Sequence, residues 1–473
     1  MYAWFAKTFL FRLQESMKRH PTFHVLGEME RAEKLSVEQF QELQNRKLQD
    51  LIEYCYTHVP YVRNQMDLRN IRPEQIRRPA DLALLPVSRK TDIRRGRELL
   101  RSDCTNRLPS FSTGGSTGEP LIFEIGKRRI ASRVACRLRA NGWWGLSVGD
   151  PELAIWGSPL ELTHQDWIRK LRDRLLRSRL LSAYELNEDS MARYIALIQQ
   201  GHWRQIFAYP SAMYTLCLYA RKKGVKLSQC GIKVIFVTSE MLYPHQRLLI
   251  SETFGCPVAN GYGGRDSGFI AHECPQGAMH IMADTVIVEV VDQNDQPLGP
   301  GLPGELVVTD LYSHEFPFIR YATGDRGILG VGLCSCGRPL PLLERLDGRS
   351  NDSLTTPDGR VMHGQSFISL LMEIPGIEQF RIHQQTVTRY HVQLVRSPTF
   401  PSDGEARIRS AWAERLRSQI DVEFEYVHEI PVERSGKHRH IVSDVDFLSE
   451  SVPKKPMPGA GEAVSSADGR PRA

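Results

Sequence analysis

The chain has 473 residues, more than one hydrophobic core usually serves, so two domains plus trimmings are expected. With 41% apolar and 25% charged residues the composition is that of an ordinary soluble globular protein. A net charge of +6 suits a small polyanionic ligand but falls short of a nucleic-acid signature, and no apolar run is long enough to cross a bilayer.

The first twenty residues, MYAWFAKTFLFRLQESMKRH, carry aromatics and scattered cations without an uninterrupted apolar stretch or a small-residue cleavage site. They read as an amphipathic first helix packing on its own domain rather than a signal peptide, with a membrane-surface role as the other reading. The nine cysteines are odd in number and widely spread, which disfavours a disulfide framework and points to a reducing, cytoplasmic setting.

SVEQFQELQNRKLQDLIEYC reads as a helix, with Ser36 and Gln39 at capping-box spacing and Phe40, Leu43, Leu48, Leu51 and Cys55 along one face. The basic run RKLRDRLLRSRLL, residues 169–181, has the leucine spacing of an amphipathic helix with a solvated face, although it could also meet an anionic lipid or the phosphates of a ligand. KVIFVTSE gives a buried strand over 234–237, followed by the helix-like PHQRLLISETFG, and this alternation suggests an α/β core. Beyond Met279 the texture turns to β: HIMADTVIVEVVD and GELVVTDL, joined by QNDQPLGPGLPG, read as an antiparallel pair. A second change comes at DGRSNDSL. The stretch beyond it reads as a small α+β domain, with strand candidates RYHVQLV and VEFEYVHEI around a helix over 404–420. The Pro, Gly, Ser and Ala-rich tail over 450–473 reads as disordered. The division is therefore 1–348, 349–449 and 450–473.

The strongest local signal is FSTGGSTGEPLIFE. Gly114, Gly115 and Gly118 are interleaved with Ser112, Thr113, Ser116 and Thr117. Glycines let backbone amides approach a phosphate closely, and the hydroxyls add donors. Glu119 stands where a Walker A loop would have lysine, so this is not a P-loop NTPase; a plain surface turn is the bland reading. Near the other end, Lys437 lies in a polar turn, IPVERSGKHRHIVSDV. On a mobile loop it could supply the missing cation; by itself it is a solvated charge. Cys334 and Cys336 form a tight Cys-x-Cys turn, and Cys274 and His280 lie upstream, with His272 as a competing ligand. Four such donors make a tetrahedral site, although the spacing is not the familiar Cys-x-x-Cys and unrelated reduced cysteines would look the same.

STGGSTGEP, NGYGGRD, RYATGD, DGRSND and SGKHRH in this order resemble the adenylate-forming superfamily. HVPYVRNQ, FAYPSAMYTL and VTSEMLYPHQR resemble its phenylacetate–CoA ligase-like and CapK-type branch, and the likeness runs over about residues 36–445. The resemblance implies a large α/β N-terminal domain plus a small α+β C-terminal domain, with the active site between them. It also implies an ATP-dependent, AMP-forming carboxylate ligase that passes its acyl-adenylate to an acceptor. CoA is the default acceptor, and an amine or hydroxyl on a sugar precursor is the other option. The implied partners are thus an organic acid, ATP and an acceptor, without nucleic acid; peripheral membrane contact and an oligomer are further expectations.

Carried over residue by residue, the loop Ser112, Thr113, Gly114, Gly115, Ser116, Thr117 and Gly118 would hold the β- and γ-phosphates. Ser239 and Glu240 would border the adenine, and Tyr262, between Gly261 and Gly263, would stack on it. Asp325 would accept from the ribose hydroxyls, and Arg349 would reach ribose or phosphate. Asp352 would be the hinge and Lys437 the adenylation lysine. Asp266 would position Mg²⁺ on the phosphates. This branch usually has glutamate there, so the ion must sit closer or bind through water. Gly264, where serine is common, also departs from the pattern. These departures favour the alternative of a nucleotide-binding scaffold or regulator of capsule or exopolysaccharide synthesis. Members of the branch with a similar Cys/His set imply that Cys274, His280, Cys334 and Cys336 hold a structural zinc.

Overall fold

The computed structural model of the chain describes residues 2–105, 108–112, 121–156, 167–183, 186–349, 353–357, 361–363, 365–372, 374–431 and 440–445. It divides into two compact units, one carried by Met1–Ser350 and the other by Asn351–Ile430 with the strand Ile441–Ser443.

The first unit is built on a seven-stranded sheet. Its order is Ser178–Leu181, Glu152–Ile155, Gln205–Ala208, Val234–Thr238, Val258–Gly264, Gly268–Glu273 and Met279–Ile281. The first five strands are parallel and the last two antiparallel. Alternation along Val234–Thr238 explains why the sheet is covered on both faces. Ile235 and Val237 join a core with the helices Pro210–Lys222 and Pro244–Phe254, while Val234 and Phe236 join another cluster with Leu146 and Ala259. A four-stranded antiparallel meander, Val286–Val291, Pro303–Asp310, Tyr321–Leu329 and Leu343–Arg349, completes the unit.

The helix expected from the capping box spans Val37–His58. Ser36 Oγ accepts from the Gln39 backbone N–H at 3.2 Å, and Gln39 Oε1 accepts from the Ser36 backbone N–H at 3.0 Å. Such a cap stabilises a helix start by about 1 kcal/mol. The expected antiparallel pair also forms, with Val288 opposite Val308.

Three readings are corrected. The run from His280 to Asp292 is not one strand. Met279–Ile281 closes the seven-stranded sheet and Val286–Val291 opens the meander. Between them the fully buried Asp284 carboxylate receives both Arg139 amino groups at 2.7 and 2.9 Å, a bidentate pair that fixes the corner to helix Lys127–Trp143. Nor is the basic run one helix: it is helical over Trp167–Leu175, then turns at Arg177, with φ 56, into the edge strand Ser178–Leu181. Pairing of that strand with Glu152–Ile155 outweighs its helical leucine spacing.

The second unit has four strands in the order Asp421–Tyr426, Arg389–Arg396, Ile377–Gln384 and Ile441–Ser443, with an antiparallel central pair and parallel outer pairs. Trp412, Ile408 and Leu416 of helix Gly404–Leu416 are buried, Trp412 edge-on to Phe367 at 5.3 Å. This helix does not reach Ile420. Arg417 takes a left-handed φ of 52 and ends it, which frees Asp421 to start its strand. The two units together form the α/β plus α+β architecture expected of an adenylate-forming protein.

Candidate functional site

In open α/β sheets ligands sit beyond the carboxyl ends of parallel strands, and two neighbouring strands of the first unit end on expected site residues. Val234–Thr238 runs into Ser239, whose left-handed φ of 71 is uncommon for a residue with a side chain. Glu240 is next in the chain, and its carboxylate accepts from the Ser211 amide at 3.1 Å, in the first turn of helix Pro210–Lys222. There it complements the helix dipole. The adjacent strand Val258–Gly264 carries Gly261, Tyr262 and Gly263, with Gly261 in register with Thr238. A side chain at Gly263 would meet the Gly268 carbonyl at 2.3 Å, so glycine is obligatory for the tight return into Gly268–Glu273.

Asp266 sits in that return. The Tyr321 hydroxyl donates to its Oδ2 at 2.6 Å and the Ser267 amide to its Oδ1 at 3.0 Å. The Tyr262 hydroxyl donates to Asp325 Oδ2 at 2.8 Å. The two bonds run in opposite senses: a tyrosine of the large sheet holds a carboxylate of the meander, and a tyrosine of the meander holds a carboxylate at the large sheet's edge. Tyr262 is buried, and burial beside Asp325 pushes its hydroxyl well above the ordinary tyrosine value, so it stays a donor. The Thr323 hydroxyl accepts from the Asp325 amide at 3.1 Å. A carboxylate can accept at both of its oxygens, so groups of this kind can meet a divalent cation or a pair of hydroxyls.

The return is held from beneath by Arg129, in helix Lys127–Trp143 and 1% exposed. Its guanidinium donates to Asp310 Oδ2 at 2.6 Å and to the Asp266 carbonyl, and lies over the Phe318 ring at 4.5 Å. Tyr321, Thr323 and Arg129 were not singled out from the sequence. RYATGD contains the first two, but nothing in the spacing of Arg129 marks it among its basic neighbours.

Of the phosphate loop, Ser112 ends a strand Ser110–Ser112 that pairs antiparallel with Ile122–Glu124, and its carbonyl accepts from Arg265 at 3.4 Å. The hairpin thus delivers both ends of the loop beside the Asp266 return. Thr113, Gly114, Gly115, Ser116, Thr117 and Gly118 lie outside the described residues, as do Asp352 and Lys437. The backbone of Arg349 is in register with Asp325 across the meander.

The sulfur and imidazole donors form a separate group in the first unit. One ligand atom each from Cys274, His280, Cys334 and Cys336 lies within 4.8 Å of the others. Cys274 Sγ and Cys334 Sγ are 3.8 Å apart, and Cys336 Sγ is 3.2 Å from His280 Nε2. A tetrahedral ion with metal–sulfur bonds of about 2.3 Å requires sulfurs about 3.8 Å apart. The Cys336 amide donates to Cys334 Sγ at 3.4 Å. Burial drops His280 to about 4, leaving it neutral as a ligand must be. At Cys336 burial would raise the thiol, but hydrogen bonds from Arg338 outweigh it and hold it below the ordinary value. His272 is not a member. It is packed against Phe269 and Phe236, with Nδ1 on the Glu273 carbonyl at 3.1 Å.

Comparison with known proteins bears on the fold and the family resemblance. A model of the CapK C-terminal domain matches residues 354–444. The chain is 22% identical over 436 residues to protein CapK of Staphylococcus aureus, covering 91% of this chain and 94% of that protein. It is 28% identical over 381 residues to a phenylacetate-coenzyme A ligase of Thermus thermophilus, covering 76% and 80%. A solved 2-hydroxyisobutyryl-CoA ligase, in its postadenylation state with 2-HIB-AMP, superposes with a TM-score of 0.70 at 20% identity over 88% of this chain and 91% of that one.

Proposed function

From its likeness to CapK, the phenylacetate–CoA ligases and solved adenylate-forming ligases, we propose that this chain is an ATP-dependent, AMP-forming acid ligase. The observation that carries this reading is the crossed pair of tyrosine–carboxylate bonds, Tyr262 to Asp325 and Tyr321 to Asp266, at the carboxyl edge of the sheet. It supports one carboxylate poised for the ribose hydroxyls and another for a cation on the phosphates, with Ser239 and Glu240 at the adenine.

In the first half-reaction a substrate carboxylate oxygen attacks the α-phosphorus of ATP, forming the acyl–phosphate bond and releasing pyrophosphate. Ser112, Thr113, Gly114, Gly115, Ser116, Thr117 and Gly118 hold the outgoing phosphates. Lys437 offsets charge developing on the α-phosphate, and Asp266 would hold Mg²⁺, which would supply further charge neutralisation. Arg349 reaches the ribose or phosphates, and Asp352 is the hinge between half-reactions. In the second, an acceptor attacks the acyl carbonyl and AMP leaves; CoA is the default acceptor, with an amine or hydroxyl of a sugar precursor as the variant. Cys274, His280, Cys334 and Cys336 would hold zinc as a structural ion, since four protein ligands would leave no position for a substrate. The functional division is 1–348 for nucleotide binding, 349–449 for the small domain and 450–473 as a tail.

ATP–pyrophosphate exchange with Mg²⁺ across aryl, fatty, hydroxy and amino acids tests the reading. Exchange dependent on one acid class establishes adenylation and names the substrate class. A second reading, a nucleotide-binding scaffold in polysaccharide synthesis, is favoured by Asp266: its side chain is a methylene short of glutamate and turns back to the Ser267 amide. ATP binding without any carboxylate-dependent exchange would decide for the scaffold.

A further inference from the structure

The N-terminal helical segment, Tyr2–Met17, is fixed on one side and bare on the other. On the packed side Ala6 and Phe11 are buried, and Phe11 meets Phe23 edge-on at 5.6 Å. A side chain added at Gly149 would come within 2.6 Å of Ala6 Cβ, so the helix rests directly on that loop. Tyr2 donates to the Leu175 carbonyl at 2.6 Å, and Arg177 stands over the Tyr2 ring at 5.3 Å. These contacts join the segment to the helix Trp167–Leu175 and the edge strand after it, so two regions far apart in sequence form one surface.

On the bare side Trp4, Phe5, Phe9, Leu13 and Met17 are 63%, 44%, 52%, 61% and 78% exposed. The three rings are contiguous: Trp4 meets Phe9 at 5.7 Å, and Phe5 meets Phe9 at 5.4 Å. A patch of this kind costs free energy in water and marks a contact surface. Its charge identifies the partner. Residues 2–19 and 167–179 hold ten lysines and arginines against two acids, Glu15 and Asp173. Glu15 is buried and Asp173 is paired with Arg172 at 2.5 Å, whereas Arg12, Arg19, Arg174 and Arg179 are exposed. A second copy of the same face would bring like charges together. Aromatic and aliphatic side chains flanked by cations instead match an anionic bilayer, where rings enter the headgroup boundary and cations meet lipid phosphates. No helix among the described residues is long and apolar enough to cross a membrane, so contact would be along the surface.

We propose that the N-terminal helix and the helix–strand segment 167–181 form one surface by which this protein docks on an anionic phospholipid membrane.

The full-length protein is floated with phosphatidylcholine vesicles with and without phosphatidylglycerol. Binding should be tighter by about tenfold or more on the anionic vesicles and weaken with added salt. The variant Trp4→Ser/Phe9→Ser/Leu13→Ser should lose at least about tenfold in binding with its circular dichroism unchanged. As a conservative check, Trp4→Phe should float as the native chain does, yet lose part of the tryptophan quenching by brominated lipid. Failure to float, flotation indifferent to lipid charge, or flotation unchanged in the triple variant each overturns the proposal. So does a triple variant whose only effect, by light scattering, is to dissociate an oligomer; that result would make the patch an interface between copies. None of these readouts depends on ligase activity, so they stand apart from the test of adenylation.

Discussion

The sulfur–imidazole group and the tyrosine–carboxylate pair lie in the same unit, yet they are built on opposite principles. In the first, Cys274, His280, Cys334 and Cys336 converge, with Cys274 and Cys334 sulfurs 3.8 Å apart, so the four donors complete one another's geometry. In the second, Asp266 and Asp325 already accept tyrosine hydroxyls at 2.6 and 2.8 Å and are aimed by them. On the proposed reading, a closed set of soft donors would hold the fold, while the two carboxylates would serve ligands that come and go. The difference teaches that convergence of donors, rather than their number, separates a structural site from a working one.

The sharpest way to break this comparison is to remove the cation proposed for catalysis. Lys437→Ala should lower carboxylate-dependent pyrophosphate exchange about 10²- to 10³-fold while equilibrium ATP binding changes little. Undiminished exchange would remove that lysine from the mechanism. On the structural side, Cys336→Ser should take metal content by mass spectrometry from about one ion per chain to almost none. It should also lower the melting temperature by about 10 °C. Native protein that carries no metal, and melts where the variant does, would reduce the four residues to ordinary thiols and a buried histidine.

Between the two carboxylates the effects should be smaller and distinct. Tyr321→Phe frees one oxygen of Asp266 and should raise the Mg²⁺ concentration for half-maximal exchange about fivefold. Tyr262→Phe should instead raise the KM for ATP by a similar factor, each reflecting about 1 kcal/mol of lost hydrogen bonding. If both variants shift the same parameter, the division of labour between Asp266 and Asp325 is wrong. At Gly264 a side chain would meet Ser267 Oγ at 2.7 Å and Asp266 Oδ1 at 2.8 Å. Gly264→Ser should therefore destabilise by about 1 kcal/mol and weaken Mg²⁺ dependence, because Asp266 has to move. Melting and exchange indistinguishable from the native chain would show that the return absorbs the serine.

The smallest effect concerns pH. His245, stacked on Tyr243, is lowered by burial from 6.5 to about 4. Below pH 6.5 the unfolded chain takes up a proton that the folded one does not. Stability is therefore lost as pH falls from about 6.5 towards about 4, by under about 1 kcal/mol given the partial exposure of the ring. Denaturant melts of His245→Phe should show a flatter slope in that window.

Local chemistry was legible in the residues themselves. Ser36 and Gln39 announce a helix start because a cap is satisfied within four residues. The hydrophobic run at 234–238 announces a buried strand because both of its faces must be covered. The glycine-rich loop and the four sulfur and imidazole donors stood out as residue patterns, and the resemblance carried by motif order added Tyr262, Asp266 and Asp325. Long-range competition was not legible. Leucine spacing in the basic run favours helix, but pairing with Glu152–Ile155 claims its second half as strand. The run after Met279 breaks at Asp284 because Arg139, distant in sequence, holds that carboxylate in the core. Only the tertiary structure decided that Tyr321 aims Asp266, that Arg129 supports it, and that His272 turns away from the sulfur group into an aromatic pocket. It likewise decided that the first helix and the 167–181 segment share a surface. The physical reason is the same throughout. A cap, a turn or a strand's alternation is settled by neighbours in the chain, whereas the partner of a buried charge is settled by what the fold brings within about 3 Å of it.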